Sequence, residues 1–196
     1  MSIVTLVSGG LDSTLVAALI RDEGLVQFPL FIDYHQRARD QELAACHTAL
    51  KHLSLPEPEI ADLAGYGKLI PSGLTDPSHD VFEEAFLPGR NLLFALTGAA
   101  YACRRGADAV AMGLLTDETS LFPDQTRAFL RRAEGLLSMI MGRKLRLLAP
   151  LKSFTKQDVI RLAAAKGISG TYSCHVGGKI PCGFCISCRE FKLEEA

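Results

Sequence analysis

Two adjacent glycines directly behind the first apolar strand constrain this chain more than any other feature. Ile3–Val7 is a short run rich in β-branched residues, and Ser8–Thr14, which follows it, reads S-G-G-L-D-S-T. Adjacent glycines permit a tight turn that presents successive backbone N–H groups to an anion. The helix predicted after the turn adds the positive end of its dipole. The sequence therefore predicts a phosphate-binding turn at the carboxyl end of a strand, where open α/β sheets bind ligands.

The side chains of this turn also suit a phosphorylated ligand. Ser8, Ser13 and Thr14 supply hydroxyl donors, and the carboxylate of Asp12 is a ligand type that divalent cations prefer. The spacing differs from the Walker loop, from the dinucleotide-binding fingerprint and from the α/β-hydrolase nucleophile pattern. An ordinary turn with a helix cap at Asp12 or Ser13 is the simpler alternative. The residues assigned to phosphate binding here are Ser8, Gly9, Gly10, Leu11, Asp12, Ser13 and Thr14.

Beyond the turn, short apolar runs alternate with amphipathic ones, a pattern typical of βαβ units around a parallel sheet. Further strands are predicted at Val26–Asp33, Glu57–Leu63, Asp108–Gly113 and Leu145–Leu151. Helices are predicted at Ser13–Glu23, Gln36–Leu53, Asn91–Arg105, Gln125–Met141 and Thr155–Lys166. Pro29 inside the second strand indicates an edge position or a bulge. Asn91–Arg105 is apolar almost all round, which predicts a buried helix or one in a dimer interface.

Composition bounds the class of protein. The chain has 196 residues, 48% of them apolar and 22% charged, which suits one α/β domain with a small appendage. The formal net charge of −1 argues against strong nucleic-acid binding through bulk electrostatics. No apolar run reaches the roughly 20 residues that a membrane span needs, and the first residues lack a signal-peptide pattern. We therefore expect a cytoplasmic protein, with a domain over residues 1–166 that carries the phosphate-binding turn and an appendage over residues 167–196.

Four of the six cysteines lie in the predicted appendage, at Cys174, Cys182, Cys185 and Cys188. A cytosolic cluster with two-residue gaps is typical of a metal site, whereas secreted scaffolds spread their cysteines along the chain. Four thiolates suit tetrahedral Zn²⁺, and metal binding would supply folding energy to a segment with almost no apolar core. A 4Fe–4S cluster is the alternative, because three cysteines at two-residue gaps with a distant fourth also ligate such clusters.

The strand and glycine turn resemble the PP-loop of the ATP pyrophosphatase superfamily, whose members cleave ATP between the α and β phosphates. Nearly the whole chain resembles one family of that superfamily, the 7-cyano-7-deazaguanine synthases of queuosine precursor biosynthesis. Besides the turn and the cysteines, the matching elements are Asp33-Tyr34 with Gln36-Arg37, Pro88–Leu92, Pro150-Leu151 with Thr155-Lys156, and Thr171–Cys174. The P-G-R-N and T-Y-S-C elements are more particular to the family than the PP-loop itself.

The resemblance implies a five-stranded parallel sheet with helices on both faces, a zinc-binding appendage, the use of ATP and Mg²⁺, and frequently a homodimer. It implies that 7-carboxy-7-deazaguanine is adenylated, that ammonia displaces AMP to give an amide, and that a second activation leads to the nitrile. The implied catalytic residues are Asp12, Arg90 and Lys156, and Asp33 and Tyr34 would border the nucleotide. The implied substrate contacts are Arg90, Asn91, Ser120, Phe122 and Asp124.

Simpler alternatives remain for several of these residues, and the sequence departs from the family pattern at three places. Arg90 and Lys156 could be solvated, Asn91 a helix cap, and Phe122 a core anchor. His35 stands where the family usually has glycine, residues 120–126 lack the usual Cys-Arg pair, and the irregular segment at residues 64–90 is shorter than the family pattern leads us to expect. The second departure motivates an alternative function: a paralogue that couples an adenylated deazapurine or other carboxylate to a different amine, including one on a protein. A tRNA sulfur-transfer enzyme and a non-enzymatic zinc module are the remaining alternatives.

Overall fold

A computed structural model of the chain describes residues 1–192, so the last four residues of the predicted appendage lie outside the described part. Five parallel strands form one sheet in the order β3-β2-β1-β4-β5. The strands are β1 Ser2–Leu6, β2 Val26–Asp33, β3 Glu59–Asp62, β4 Ala109–Ala111 and β5 Arg146–Leu148. The helices are α1 Leu11–Asp22, α2 Arg39–His52, α3 Ala64–Leu69, α4 Arg90–Arg105, α5 Arg127–Ile140, α6 Lys156–Ala165 and α7 Ile186–Lys192. The expected five-stranded α/β architecture is therefore confirmed.

Helices cover both faces of the sheet, because successive strand residues point to opposite sides. On one face, Val4 and Val110 pack against apolar residues of α4 and α5. On the other face, Ile3 packs against α1 and α6, and Phe31 packs against α2. α4 approaches the sheet closely, since a Cβ at Gly98 would lie 2.8 Å from a methyl group of Val110.

The strand order reverses beside β1, and this reversal positions the site. The chain passes from β1 to β2 through α1 on one face, and from β3 to β4 through α4 on the other. The connections therefore diverge at the carboxyl ends of β1 and β4, which creates a crevice of the kind that binds ligands in open α/β sheets. The glycine turn at residues 8–10 follows β1 directly at this crevice.

β2 is an interior strand, so the predicted edge position of Pro29 is wrong for the strand as a whole. Pro29 pairs with Thr5 of β1, whereas the register with β3 begins only at Leu30. The carbonyl of Leu30 accepts from Val7 on the β1 side, so the missing N–H of Pro29 faces the β3 side. Within residues 1–192 no strand pairs with that side of Pro29, so the proline removes no ladder hydrogen bond.

The helix predicted at residues 36–53 begins later, at Arg39, because the residues before it turn back onto β2. The side-chain amide of Gln36 donates to the carbonyl of Ile32 at 3.2 Å and accepts from the N–H of Tyr34 at 2.9 Å. His35 adopts a φ of 69°, in the left-handed region that favours glycine. The backbone at this position thus keeps the conformation that suits the usual glycine of the family.

The segment between β3 and α4 lacks regular structure except for α3, a six-residue helix that the sequence pattern did not predict. Leu74, Ala85 and Leu87 of this segment are buried against Tyr34 and so cover the end of β2. α7, in the cysteine-rich part of the chain, was also not predicted. None of the helices within residues 1–192 combines the length and the apolar character that crossing a membrane requires.

Candidate active site

A cavity of about 310 Å³ opens at the carboxyl ends of β1, β2 and β4. Its walls come from the glycine turn, the end of β2, the start of α4 and the cysteine-rich part of the chain. Ten of the residues singled out in the sequence line it: Ser8, Gly10, Leu11, Asp12, Ser13, Tyr34, Arg90, Asn91, Phe122 and Lys156. The fold thus brings residues from distant parts of the sequence into one space.

Hydrogen bonds within the glycine turn fix its shape. Oγ of Ser13 accepts from the backbone N–H of Ser8 at 3.1 Å and donates to the carbonyl of Gly10 at 3.1 Å. α1 begins at Leu11, and the residue at its N-cap, Gly10, provides no side-chain cap. The first N–H groups of α1 therefore remain available to an anion, beside the positive end of the helix dipole. Neither Asp12 nor Ser13 caps the helix, so the simpler alternative does not describe this turn.

Gly9 serves the packing of the turn and does not line the cavity. Its φ is +77°, and a Cβ there would lie 2.2 Å from the carbonyl oxygen of Glu42 and 2.6 Å from the backbone nitrogen of Cys46. The backbone of α2 therefore lies directly against the turn, an approach that requires glycine. Thr14 is buried on α1 and likewise stays outside the cavity.

Lys156 is a buried cation between two carboxylates. A capping box, in which Thr155 and Asp158 exchange hydrogen bonds, starts α6 and places Lys156 in its first turn. Nζ lies 2.8 and 3.0 Å from the oxygens of Asp12 and 3.3 Å from Oε2 of Glu190, and the side chain is 8% exposed. Burial disfavours the ammonium, but the charges of Asp12 and Glu190 outweigh it and raise the pKa of Lys156 above its ordinary value. Lys156 therefore keeps its charge in the cavity.

Arg90 is the second cation of the cavity, and aromatic rings hold it. Its Cζ lies 5.9 Å from the ring centre of Tyr34 and 6.0 Å from that of Phe94, within the range of cation–π contacts. Burial raises the pKa of Tyr34 to about 12 against the opposing charge of Arg90, so the hydroxyl stays protonated. Within the described part of the chain Arg90 forms no ion pair. Its guanidinium fork is therefore available to a phosphate or a carboxylate.

Glu42 is a carboxylate of the cavity wall that sequence reasoning missed. Its Oε2 accepts from Nε2 of Gln36 at 3.1 Å. Burial raises the pKa of Glu42 to about 7, although the hydrogen bond from Gln36 and the charge of Arg90 act in the opposite direction. Glu42 lies in the first turn of α2, where a charged residue ordinarily faces solvent, so the sequence carries no signal for it.

His175 is a second cavity residue that sequence reasoning did not assign. Its Nδ1 is, within residues 1–192, the one buried side-chain nitrogen or oxygen without a hydrogen-bond partner. Burial lowers the pKa of His175 to about 4, and the charges of Arg90 and Lys156 act in the same direction, so the imidazole is neutral. Buried polar atoms nearly always have a partner, which makes His175 a place where a ligand or water completes the site.

Two predicted residues at the rim lie outside the cavity and have partners within the protein. Asp33 pairs with Arg39, with 3.0 Å between Oδ2 and Nε. Asp124 holds the start of α4, because its Oδ2 accepts the backbone N–H of Asn91 at 3.2 Å. The side-chain amide of Asn91 also donates to the carbonyl of Asp124, at 3.1 Å. These contacts give Asp33, Asn91 and Asp124 positioning roles in the free protein.

The divergent loop at residues 120–126 is held by its own hydrogen bonds. Oε1 of Gln125, at the position of the usual cysteine, accepts two backbone N–H groups of the loop at 2.9 and 3.0 Å. The ring of Phe122 borders the cavity and lies 5.0 Å from the ring of Phe86. Ser120 lines only a side cavity of about 90 Å³. The loop thus presents one aromatic ring to the main cavity.

The four cysteines come together, with their sulfur atoms all within 4.8 Å of one another: Cys174, Cys182, Cys185 and Cys188. None of them is in a disulfide. The backbone N–H groups of Cys182, Cys185 and Cys188 donate to neighbouring sulfurs of the cluster at 3.3 to 3.4 Å. Four soft donors this close fit a tetrahedral metal ion, so the cluster can bind a metal.

The part of the chain at residues 172–191, called the cysteine segment below, also forms a wall of the cavity. It contributes Tyr172, Ser173, His175, Ile186, Ser187 and Glu190. The backbone N–H of Tyr172 donates to the carbonyl of Gly9 at 2.9 Å, which ties the segment to the glycine turn. The ring centre of Phe191 lies 5.0 Å from Nζ of Lys156. The spacing of the cysteines predicts the metal site but carries no signal for these contacts.

Known proteins of similar sequence match this chain along nearly its whole length. A family model described as queuosine biosynthesis protein QueC matches residues 2–193. The chain is 37% identical to a 7-cyano-7-deazaguanine synthase of Synechococcus sp., over 95% of this chain and 88% of that protein. It is 32% identical to the 7-cyano-7-deazaguanine synthase of Methanothermobacter thermautotrophicus, over 98% of this chain and 95% of that protein.

Solved structures of similar fold are more distant in sequence. U34-tRNA thiolase NcsA from Methanococcus maripaludis, with its 4Fe–4S cluster, has a TM-score of 0.54 at 13% identity, covering 100% of this chain and 64% of that one. NMN synthetase from Francisella tularensis has a TM-score of 0.53 at 17% identity, covering 91% and 68%. These likenesses concern the fold alone. Because the family model matches residues 2–193 and relatives above 30% identity cover nearly the whole chain, the chain belongs to the QueC family, within the ATP pyrophosphatase superfamily of enzymes.

Proposed function

We propose that this chain is an ATP-dependent ligase that converts 7-carboxy-7-deazaguanine and ammonia into 7-cyano-7-deazaguanine. One observation carries the proposal: the glycine turn, with the free N–H groups at the start of α1, lines the same cavity as Arg90 and Lys156. Activation of a carboxylic acid by ATP needs this combination, because pyrophosphate must be held and charge must be balanced beside the reacting oxygens. The relatives that match nearly the whole chain are named as synthases of this nitrile, which supports the identity of the acid.

In the proposed reaction, a carboxylate oxygen of the acid attacks the α-phosphorus of ATP, and the bond to the β-phosphate breaks with release of pyrophosphate. Ammonia then adds to the carbonyl carbon of the acyl adenylate, and AMP leaves with loss of a proton to give the amide. The amide oxygen then attacks the α-phosphorus of a second ATP with release of pyrophosphate, and the amide nitrogen loses a proton. Loss of AMP and a proton from that adenylate forms the nitrile, so each nitrile consumes two ATP and releases two AMP.

The residues of the cavity would position the reactants and balance their charges. The N–H groups at the start of α1 would hold pyrophosphate, with the hydroxyls of Ser8 and Ser13 beside them. Lys156 would neutralise phosphate charge from a position that is already fixed before ATP binds. Arg90, whose fork has no ion-pair partner among residues 1–192, would hold the carboxylate of the acid in line with the α-phosphorus.

Asp12 would hold Mg²⁺ beside the glycine turn. Its carboxylate is 28% exposed and lines both the main cavity and the side cavity. An accessible carboxylate next to a phosphate-binding turn suits a cation that prefers oxygen ligands. When bound there, Mg²⁺ would supply charge neutralisation for the phosphates.

The remaining wall of the cavity suits a flat heterocycle. Tyr34, Phe94 and Phe122 present aromatic rings, and Leu74 and Met112 add apolar surface. Aromatic rings stack on planar ligands at little conformational cost. We therefore assign the deazapurine ring to this aromatic part of the cavity, with its carboxylate directed toward Arg90.

Zn²⁺ is the metal that we propose for the cysteine cluster. Four cysteine thiolates form closed tetrahedral zinc sites, which are structural because no position is left open for a substrate.

The family model and the relatives do not favour the tRNA sulfur-transfer enzyme, the paralogue with a different amine or protein acceptor, or the non-enzymatic module. The division into residues 1–166 and 167–196 is retained as a proposal about folding units.

We also propose a homodimer that forms through the outer surfaces of α4 and α5. The apolar pattern of α4 has two causes: Ala95 and Ala99 face the sheet, whereas Leu96 is 38% exposed on the outer surface. On α5, Met139 and Ile140 are 70% and 51% exposed. Exposed apolar surfaces of this kind mark interaction sites, and a second copy is the partner that the family resemblance implies.

The test of the proposed reaction is to incubate the protein with MgATP, an ammonium salt and 7-carboxy-7-deazaguanine, and to identify the products by mass spectrometry. We expect the amide first and then the nitrile, with two AMP for each nitrile. If no nitrile forms at any enzyme concentration, the proposed function is wrong.

Variants of the charged residues would test the assigned roles. Asp12→Ala and Arg90→Lys should each lower AMP formation about 100-fold or more while the protein stays folded. The melting temperature should stay unchanged in Arg90→Lys and should fall in Asp12→Ala, because that variant removes a counter-ion of the buried Lys156. Arg104→Lys, which makes the same change at an exposed position of α4, is the matched control and should keep the wild-type rate. A normal rate in Asp12→Ala would remove this residue from the mechanism.

A further inference from the structure

The position of the cysteine segment depends on the cysteines. α7 has seven residues, begins directly after Cys185 and contains Cys188. A helix this short is not stable by itself in water. Among the residues that the structure describes, the buried cluster around the cysteines holds only one further apolar residue, Val81, and the segment otherwise packs on the domain through partly buried side chains such as Ile186 and Phe191. A metal ion that joins the four cysteines would therefore tie α7 to the residues before it and help to fix the position of the segment.

The same segment touches the two elements that would bind the phosphates of ATP. From α7, Glu190 lies 3.3 Å from Nζ of Lys156, and the ring of Phe191 lies 5.0 Å from the same atom. From the other end of the segment, Tyr172 donates its N–H to the carbonyl of Gly9 at 2.9 Å. Displacement of the segment would remove one of the two counter-ions of Lys156 and a hydrogen bond of the glycine turn.

We propose that metal binding at the four cysteines and ATP binding in the cavity are thermodynamically coupled, each strengthening the other through the cysteine segment. This inference rests on the proposed function, which places ATP in the cavity and a metal at the cysteines. Coupling between two sites is reciprocal, so the factor by which the metal tightens ATP must equal the factor by which ATP tightens the metal. From the usual range for residues that support a metal or ligand site, we expect a factor of about 10 to 100.

The first measurement is the Kd for MgATP, without acceptor or ammonia, of the zinc-loaded and the zinc-depleted protein. We expect zinc depletion to raise the Kd about 10-fold or more while the sheet keeps its circular dichroism. The second measurement uses only the loaded protein and follows zinc loss to a zinc-selective chelator in excess Mg²⁺. We expect MgATP to raise the zinc affinity by the same factor, so the test remains valid even if the depleted protein unfolds.

Glu190→Gln tests the route of the coupling. This variant keeps the shape of the side chain but removes its charge, and we expect full zinc content with a smaller ratio between the two MgATP Kd values. Glu118→Gln makes the same change at an exposed residue and should leave the ratio unchanged. An unchanged ratio in Glu190→Gln would overturn the route through Lys156.

The outcomes separate this inference from the proposed function. If the zinc-loaded wild-type protein does not bind MgATP, the proposed function fails. If the loaded protein binds MgATP, two results together refute only the coupling. The Kd for MgATP is then the same before and after zinc depletion, and the zinc affinity in the chelator assay is the same with and without MgATP.

Discussion

The two glycines of the turn should respond differently to replacement by alanine. Gly9→Ala should lower the stability of the fold, whereas Gly10→Ala should weaken ATP binding and leave the stability almost unchanged. An alanine at position 9 must adopt a φ of +77°, which costs about 1–2 kcal/mol. Its Cβ would also lie 2.2 Å from the carbonyl oxygen of Glu42, so α2 must move away from the turn at a further cost of about 1–3 kcal/mol. For Gly9→Ala we therefore expect the free energy of unfolding to fall by about 2–5 kcal/mol, and the melting temperature by about 4–20 °C.

Gly10→Ala should leave the fold intact. Gly10 has a φ of −77°, which any residue can adopt, and a Cβ there would meet Oγ of Ser8 at 3.3 Å and Oγ of Ser173 at 3.6 Å. We expect a stability change of less than about 1 kcal/mol. The added methyl group enters the cavity beside the first N–H groups of α1, so we expect the Kd for ATP to rise about 10-fold or more, which corresponds to about 1.4 kcal/mol.

Urea and thermal denaturation measure the first effect, and titration with ATP measures the second. Gly24→Ala is the control for conformation alone, because Gly24 has a φ of +68° and a Cβ there would meet nothing within 4 Å. The difference between Gly9→Ala and Gly24→Ala then isolates the overlap with α2. If Gly9→Ala is no more destabilising than Gly24→Ala, the close approach of α2 to the turn is wrong.

Three further perturbations test the acid of the cavity wall, the metal site and the dimer. Because burial raises the pKa of Glu42 from 4.5 to about 7, the folded protein holds this proton more tightly than the unfolded chain, and the free energy of unfolding should fall as the pH rises from 4.5 to 7. Denaturation of Glu42→Gln at several pH values should show a smaller fall, and an unchanged pH profile would contradict the raised pKa. Cys185→Ser should lower soluble yield and zinc content before activity, and full zinc occupancy by metal analysis would remove Cys185 from the ligand set. Leu96→Asp should convert a dimer to a monomer in analytical ultracentrifugation, whereas a variant that stays dimeric, or a monomeric wild type, would exclude this interface.

The features that could be predicted from the sequence are those whose signals are local. β2 occupies residues 26–33 in both the pattern and the structure, because an apolar run between turn residues fits a strand buried on both faces. The start of the helix predicted from Thr155 is also a local feature, because the capping box that begins α6 joins Thr155 and Asp158 within one helical turn. The spacing of the cysteines predicted their cluster because short gaps fix which sulfur atoms can meet.

The residues that could not be predicted owe their positions to contacts between distant segments. Glu42 reaches the cavity only because Gly9 allows α2 to lie against the turn. Glu190 reaches Lys156 only because the cysteine segment folds back across the carboxyl ends of the strands. The start of α2 was misplaced because a single side chain, that of Gln36, competes with the helix for backbone partners.

The two cations of the cavity have different surroundings, and the difference makes the cysteine segment part of the site. Arg90 lies beside the aromatic rings of Tyr34 and Phe94. Lys156 is a buried ammonium, which burial alone would push toward the neutral form, and its raised pKa depends on Asp12 and Glu190 together. A domain boundary drawn at residue 166 from composition alone would therefore separate the ammonium that is needed beside the phosphates from one of its two counter-ions.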